Sequence, residues 1–249
     1  MDLRILLLQA RTAGDPILTH EFECFARAAG VAVDAFTCLN MVETTPDPSM
    51  LDGHDLVMVG GSGDYSVVKG GFDWHESLLA MMRAIVEAKI PMFASCFGFQ
   101  SLVQALGGEL VSDPDLAEIG TMEITLTEAG KQDALFGELP EMFHAQLGHN
   151  DSALVLPDDL ILLAGSRRCP HQAVRHKSAP IVATQFHPEL TDRDNITRYM
   201  RYLTAYKADE LTREEAIALA ESMHRPSPHA NALVRQFLVE QELVSGAAG

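Results

Sequence analysis

The chain lacks what marks secreted, membrane-spanning and nucleic-acid-binding proteins. Cysteine is sparse: 249 residues contain four, at positions 24, 38, 96 and 169, with no Cys-x-x-Cys. Four unpatterned thiols give no disulfide framework, and they suit a reducing cytosol. Basic residues are few, 18 against 35 acidic ones, for a formal charge of −17. A surface for phosphate backbones or anionic lipid needs a basic face, and there is no Lys/Arg block to make one. No apolar run approaches the roughly 18–20 residues of a membrane-spanning helix. Asp2 and Arg4 are followed at once by a strand pattern, so no signal peptide is expected. Tryptophan occurs once, at Trp74. Internal repeats and low-complexity tracts are missing. The expectation is a cytoplasmic protein with neither a nucleic-acid nor a membrane partner.

What the chain has is apolar residues, 47% of the total, in patterns of strand and helix. Residues 3–9 are almost continuously apolar, as in a strand buried on both faces. A helix is expected over 20–29, closed by Gly30 at its C-cap. Strands are expected over 31–36 and 55–59, and an amphipathic helix over 76–89. This alternation predicts a parallel sheet with helices on both faces. Residues 120–127, 143–147, 154–166, 172–176 and 181–186 read as shorter strands, and all of these but 143–147 are expected to form an antiparallel extension beside the parallel sheet. A helix is expected over 191–206. Thr212-Arg213-Glu214-Glu215 is a capping box that opens another helix, to about Met223. Pro226 and Pro228 break it, and a last amphipathic helix runs over 230–244. Packing of this helical pair on its own domain is the expectation; the tail, 245–249, is expected to be disordered.

The chemistry centres on residues 90–107. An apolar strand pattern, 90–95, meets a helical one, 97–106, and Cys96 sits at the junction. A sharp strand-to-helix turn between small residues holds a nucleophile up and exposed, as in the Gly-x-Ser-x-Gly elbow of hydrolases. Here the row is Ala94-x-Cys96-x-Gly98. The helix that follows points its N-terminal amides at the sulfur and favours the thiolate. A buried structural cysteine is the alternative for Cys96 taken alone. The second stretch, Gln185-Phe186-His187-Pro188-Glu189, ends another apolar run. It offers a base, His187, and a carboxylate two residues on that can orient it. Both stretches lie at C-terminal ends of expected strands, where sites gather in open α/β sheets.

These segments resemble the class I (triad-type) glutamine amidotransferases. The resemblance rests on Cys96-Phe97-Gly98-Phe99-Gln100, on Gln185 to Glu189, and on the turn Gly60-Gly61-Ser62-Gly63, in the family's order. It covers about residues 1–205 and is similar in particular to the glutaminase portion of GMP synthetases and their stand-alone relatives. Ala94 stands where the family has glycine, and Phe99 where histidine is frequent. The resemblance implies a three-layer, flavodoxin-like, doubly wound α/β fold. Its sheet is mostly parallel with an antiparallel extension. Residues 1–206 would form the amidotransferase domain and 207–249 a C-terminal helical appendage. It also implies a Cys96–His187–Glu189 triad. Gly61 and Phe97 would donate their amides to the oxyanion, an electrostatic term of about 3 kcal/mol per donor. Gln100, His149, Asn150 and Asp151 would bind the amino-acid end of the substrate.

The activity implied is release of ammonia from L-glutamine, for which no metal or cofactor is expected. His171 and His176 have no ligand-like companions. The glycine turn lacks the Lys-Ser/Thr of a phosphate loop, and Ser66 replaces the third glycine of a dinucleotide fingerprint. No Ser-Gly-Gly-x-Asp-Ser pyrophosphatase loop follows the triad, so an ATP-dependent synthetase would be a separate subunit. Two other readings stay open: a stand-alone hydrolase of γ-glutamyl peptides, and a non-catalytic scaffold on the same fold.

Overall fold

The structure, a computed structural model, describes residues 3–203 and 210–246. The parallel half of the sheet is built first. Strand β1 (Ile5–Ala10) feeds helix α1 (Ile17–Ala29), which ends at Gly30 in the left-handed conformation that glycine adopts without strain. Strands β2 (Phe36–Asn40) and β3 (Leu56–Ser62) pair in parallel on either side of β1. Helix α2 (His75–Ala88), strand β4 (Met92–Ser95) and helix α3 (Phe97–Ala105) follow.

The next elements build the antiparallel half. They are β5 (Glu109–Ser112), β6 (Glu118–Leu126), α4 (Glu128–Gln132), β7 (Met142–His149), β8 (Asp151–Val155), β9 (Leu160–Ser166) and β10 (Ala173–His176). Strand β11 (Ile181–Thr184) then returns to lie parallel to β4. Helices α5 (Asp192–Arg201), α6 (Arg213–Met223), α7 (Pro228–Asn231) and α8 (Leu233–Glu240) complete the described chain.

The main sheet runs β2-β1-β3-β4-β11-β10-β9-β6-β7, and β5 pairs with β8 in a small second sheet. From β2 to β11 every pair is parallel; from β11 to β7 every pair is antiparallel. The parallel block has the flavodoxin-like order, with β11 as its fifth strand. Strand alternation divides the core. Leu6, Leu8, Val57 and Val59 pack with Leu78, Met82 and Ile85 of α2 and Leu102 of α3. Ile5, Leu7, Leu56 and Met58 pack on the other face with Phe25 of α1 and Leu233 and Phe237 of α8. The sheet therefore lies between two helical layers.

Several expected elements move. The strand expected over 31–36 begins only at Phe36, because residues 33–35 form a 3-10 turn and β1 takes its partners from Phe36 onward. The run at 181–186 joins the parallel block and not the extension. The last helix is two pieces, α7 and α8, and ends at Glu240. The helix expected over 191–206 ends earlier, at Arg201, with Tyr202 as its C-cap; the domain boundary after 206 and residues 247–249 of the tail lie outside the described residues. The C-terminal helices pack on their own domain. Arg175 joins Asp133 at 2.5 Å and Glu240 of α8 at 3.0 Å. Asn231 of α7 donates through Nδ2 to the carbonyls of Pro188 and Leu190, at 2.9 and 2.6 Å, clamping the segment that carries His187 and Glu189.

Candidate active site

The site forms because β4 and β11 are neighbours running the same way. Ser95 pairs with Thr184, and the Cys96 N–H donates to the Thr184 carbonyl at 2.7 Å. The residues that follow each strand therefore emerge side by side. Cys96 takes φ 51° and ψ −102°, a left-handed conformation rare for a residue with a side chain. Such strain persists where the surroundings over-determine it and is common at reactive groups. The backbone of the expected elbow is thus present, but the thiol is not exposed as expected: Cys96 is buried, 5% accessible. Gly98 makes the elbow fit, since a Cβ there would lie 2.8 Å from the Cβ of Val59 and 2.9 Å from its carbonyl oxygen. Ala94 lies buried in the strand between Val59 and Ala183. Phe99 is fully buried with α2 and α3, so it serves the core.

His187 is held from two sides. Its N–H donates to the Gln146 carbonyl at 2.8 Å, and its Nδ1–H donates to Glu189 Oε1 at 2.7 Å. The Cys96 side chain is near enough to act on its charge. Burial disfavours the imidazolium. The charge of Glu189, the Cys96 sulfur and the hydrogen bond to Glu189 outweigh it and push the His187 pKa up to about 9. Burial likewise works against the Glu189 carboxylate, but His187 and Arg198 hold its pKa below the usual range.

Behind this pair lies a buried charge network that the sequence does not announce. Arg198 of α5 reaches Glu189 Oε1 with Nη1 at 3.3 Å and lies 3.6 Å from Glu21 with Nη2. Glu21 of α1 is fully buried and pairs with Arg11 Nη2 at 2.6 Å. Arg11 Nη1 donates to Tyr202 Oη at 2.9 Å, and Tyr202 donates to Asp15 at 2.6 Å. Each buried carboxylate thus faces a guanidinium, the pairing that burial of charge requires.

The Gly60-Gly61 turn is glycine because side chains press on it. A Cβ on Gly60 would lie 2.4 Å from Glu21 Oε1, and one on Gly61 would lie 2.7 Å from His187 Cε1. The Gly61 N–H donates to Glu21 Oε1 at 3.2 Å and Gly61 is not in the wall of the cavity in front of Cys96, so here it is not the free oxyanion donor that the resemblance implies. Phe97 opens α3, where a first-turn N–H has no intrahelical acceptor.

In front of Cys96 is a cavity of about 360 Å³. Its walls include Phe97, Gln100, His149, Asn150 and Asp151, with Ser62 of the glycine turn, and also Tyr65, Lys69 and Ser112, which no sequence motif singles out. Gln100 donates through Nε2 to the Asp151 carbonyl at 2.8 Å, tying α3 to the substrate-side turn. The Asp151 carboxylate accepts from Ser66 Oγ at 2.5 Å and from Ser112. His149 packs between the Asp151 carbonyl, 3.1 Å from Nδ1, and Glu118, 3.4 Å from Nε2. Glu118 is fixed in turn by Gln172 Nε2 at 2.6 Å and Ser166 Oγ at 2.7 Å.

Among the described residues, two clusters have the donor types of a metal site, Glu118/His149/Cys169 and His20/Cys24/Asp194. In the second, Arg27 approaches Asp194 to 2.5 Å and supplies the positive charge itself. In the first, the Glu118 oxygens already accept from Gln172 and Ser166.

Fold and site together define an α/β protein with a thiol on a strand-to-helix elbow, a buried His–Glu pair beside it and a pocket in front. The comparisons with known proteins agree. The family model for glutamine amidotransferase class-I matches residues 23–204, and the chain belongs to that family. Within it the chain is similar to single subunits of glutamine-hydrolyzing GMP synthases. It is 32% identical to the one from Thermoplasma acidophilum over 145 residues, 58% of this chain and 68% of that one. To its counterpart from Methanocaldococcus jannaschii it is 32% identical over 124 residues, 50% of this chain and 63% of the relative. It spans 20% of the glutamine-hydrolyzing GMP synthase of Thermosipho africanus, with 36% identity over 107 residues, 43% of this chain. A glutamine amidotransferase structure from Thermotoga maritima shares the fold at TM-score 0.72 and 19% identity, covering 96% of this chain and 98% of that one. Among the described residues no helix is long and apolar enough to cross a membrane.

Proposed function

We propose that the protein is a cysteine-dependent glutaminase that releases ammonia from L-glutamine for a separate synthetase subunit. The observation that carries this reading is that Cys96, in the wall of the cavity of about 360 Å³, follows a strand paired with the one that leads to the buried His187–Glu189 pair. The Cys96 thiolate attacks the γ-carboxamide carbon. Charge develops on the carbonyl oxygen, and the Phe97 N–H stabilises it. Gly61 is the second donor, and two successive glycines let its peptide turn from Glu21 toward the substrate. Imidazolium His187, held in place by Glu189, gives its proton to the departing nitrogen, and a γ-glutamyl thioester remains. Water activated by His187 then releases glutamate. Gln100 and the turn of His149, Asn150 and Asp151 shape the pocket for the α-amino and α-carboxylate groups. The names of the relatives, subunits of GMP synthases, support a synthetase partner that consumes the ammonia.

The test is steady-state release of glutamate from L-glutamine set against release from γ-glutamyl dipeptides, with Cys96→Ala as the control. Turnover of glutamine, abolished in a folded C96A protein, is the expected result. Preference for the dipeptides by orders of magnitude would make the protein a γ-glutamyl peptide hydrolase. A folded wild type with no turnover and no labelling of Cys96 by a glutamine-like electrophile would make it a scaffold.

A further inference from the structure

We infer that a small cavity beside His187 holds the water that hydrolyses the thioester, and that Arg198 is the residue that positions it. The inference rests on the thioester reading above. The cavity measures about 10 Å³, the room of a single water molecule. It is distinct from the substrate pocket, but the two share Ser62 and Gly148 in their walls, so it adjoins that pocket on the side of His187. Its other walls are polar and buried: Arg11, His187, Asn195, Arg198 and Tyr202. Cavities that stay empty are apolar, whereas small polar ones hold water.

Arg198 supplies the specific demand. It is only 4% exposed. Nη1 serves Glu189, and Nη2 faces Glu21 at 3.6 Å, too far for a hydrogen bond. Nε and Nη2 have no hydrogen-bond acceptor among the described residues. Buried N–H groups without acceptors are costly, and a water oxygen in this cavity would satisfy them. Two guanidinium groups in the wall exclude a cation, and the volume excludes any polyatomic anion. A water that accepts from Arg198 has both protons free, and one of them can go to His187.

The step balances as follows. After ammonia leaves, His187 Nε2 removes a proton from the water. The water oxygen bonds to the thioester carbonyl carbon. The tetrahedral intermediate collapses with rupture of the C–S bond, glutamate leaves, and the Cys96 thiolate is again paired with imidazolium His187.

The test separates the two half-reactions. Ser62→Thr keeps the hydroxyl that accepts the Tyr65 N–H at 2.9 Å and adds one methyl group to the cavity wall. In rapid-quench mass spectrometry the γ-glutamyl adduct on Cys96 should persist about tenfold longer in S62T. Because Ser62 also lines the substrate cavity, labelling of Cys96 by a glutamine-like electrophile is measured in parallel; the adduct lifetime should lengthen by a larger factor than labelling slows, and kcat and KM should fall together. A folded S62T with unchanged adduct lifetime overturns the inference. So does labelling slowed by as much as the adduct's decay, which would place the effect of the added methyl group in the substrate cavity. Arg198→Lys, which keeps a charge beside Glu189 but loses the guanidinium fork, should lengthen the adduct lifetime with the acid limb of the pH profile unmoved. A crystal of the wild-type protein should show one ordered water on Nε or Nη2 of Arg198, and an empty cavity there overturns the inference. Absence of any adduct on wild-type Cys96 refutes the thioester reading itself, a different result from all of these.

Discussion

Glu189→Gln changes one charge and almost no volume, and the structure sets the size of its effect. Glu189 Oε1 lies 2.7 Å from His187 Nδ1, and the two are almost wholly buried. Burial works against the imidazolium; the carboxylate is the first-ranked force opposing it and takes the His187 pKa to about 9. With glutamine in its place, burial is opposed only by Cys96, and Arg198 remains nearby without its counter-charge. The His187 pKa then falls back toward its ordinary 6.5. At pH 7.5 the protonated fraction drops from nearly complete to about one tenth. The thiolate–imidazolium population, and with it the alkylation rate of Cys96 by iodoacetamide, falls about tenfold. The assay is that rate measured across pH 5 to 10 by intact-protein mass spectrometry, with C96A as the blank. In wild type the His187 transition should appear near pH 9, and in E189Q it should move down by about two units. An unchanged transition in folded E189Q would refute the assignment of Glu189 as the group that charges His187.

Stability should follow the same pair. The His187 pKa is raised on folding, so its contribution is complete below about pH 6.5 and is lost as pH rises through about 9; the Glu189 pKa is lowered, so its share is lost in acid. Thermal melts should therefore show wild type losing stability between pH 6.5 and 9 relative to E189Q, and parallel curves would contradict this. Gly98→Ala places a Cβ against Val59 and should cost about 1–3 kcal/mol in denaturant unfolding; an unchanged midpoint would mean the elbow tolerates a side chain. Glu118→Gln leaves the buried neighbourhood of Gln172, Ser166 and His149 with a mismatched donor, at about 1–3 kcal/mol. Because His149 lines the substrate pocket, KM for glutamine should rise more than kcat falls, and a pure kcat loss would count against this role.

The parts of the molecule legible in the sequence are those that local rules govern. The apolar runs ending at Ser95 and Thr184 read as strands because β4 and β11 are buried on both faces. The elbow at Cys96 is visible from its small neighbours, and the capping box at Thr212 is made as its residues indicate. The Thr191–Asp194 capping box carries the same kind of signature, an acidic residue three positions after a threonine, and is a signal left unused. Arg11, Glu21 and Arg198 are illegible for a different reason. A charged residue in a loop or on an amphipathic helix normally faces water, and only the tertiary approach of α1, α5 and the residue after β1 buries these three together. Strand β2 is misplaced by pattern alone because it is an edge strand whose residues are half-buried or exposed, so hydrophobicity does not mark it. The seam at β11 follows from long-range pairing, which no local pattern encodes.

The central claim is that Cys96 carries a γ-glutamyl group during turnover. It is tested most directly by mixing the protein with L-glutamine, quenching in acid within milliseconds and mapping the adduct by peptide mass spectrometry. The account predicts a transient thioester on the peptide containing Cys96, absent from C96A and accompanied by one ammonia per adduct. Glutamate and ammonia released at the wild-type rate with Cys96 unmodified at every time point, or in folded C96A, would contradict it.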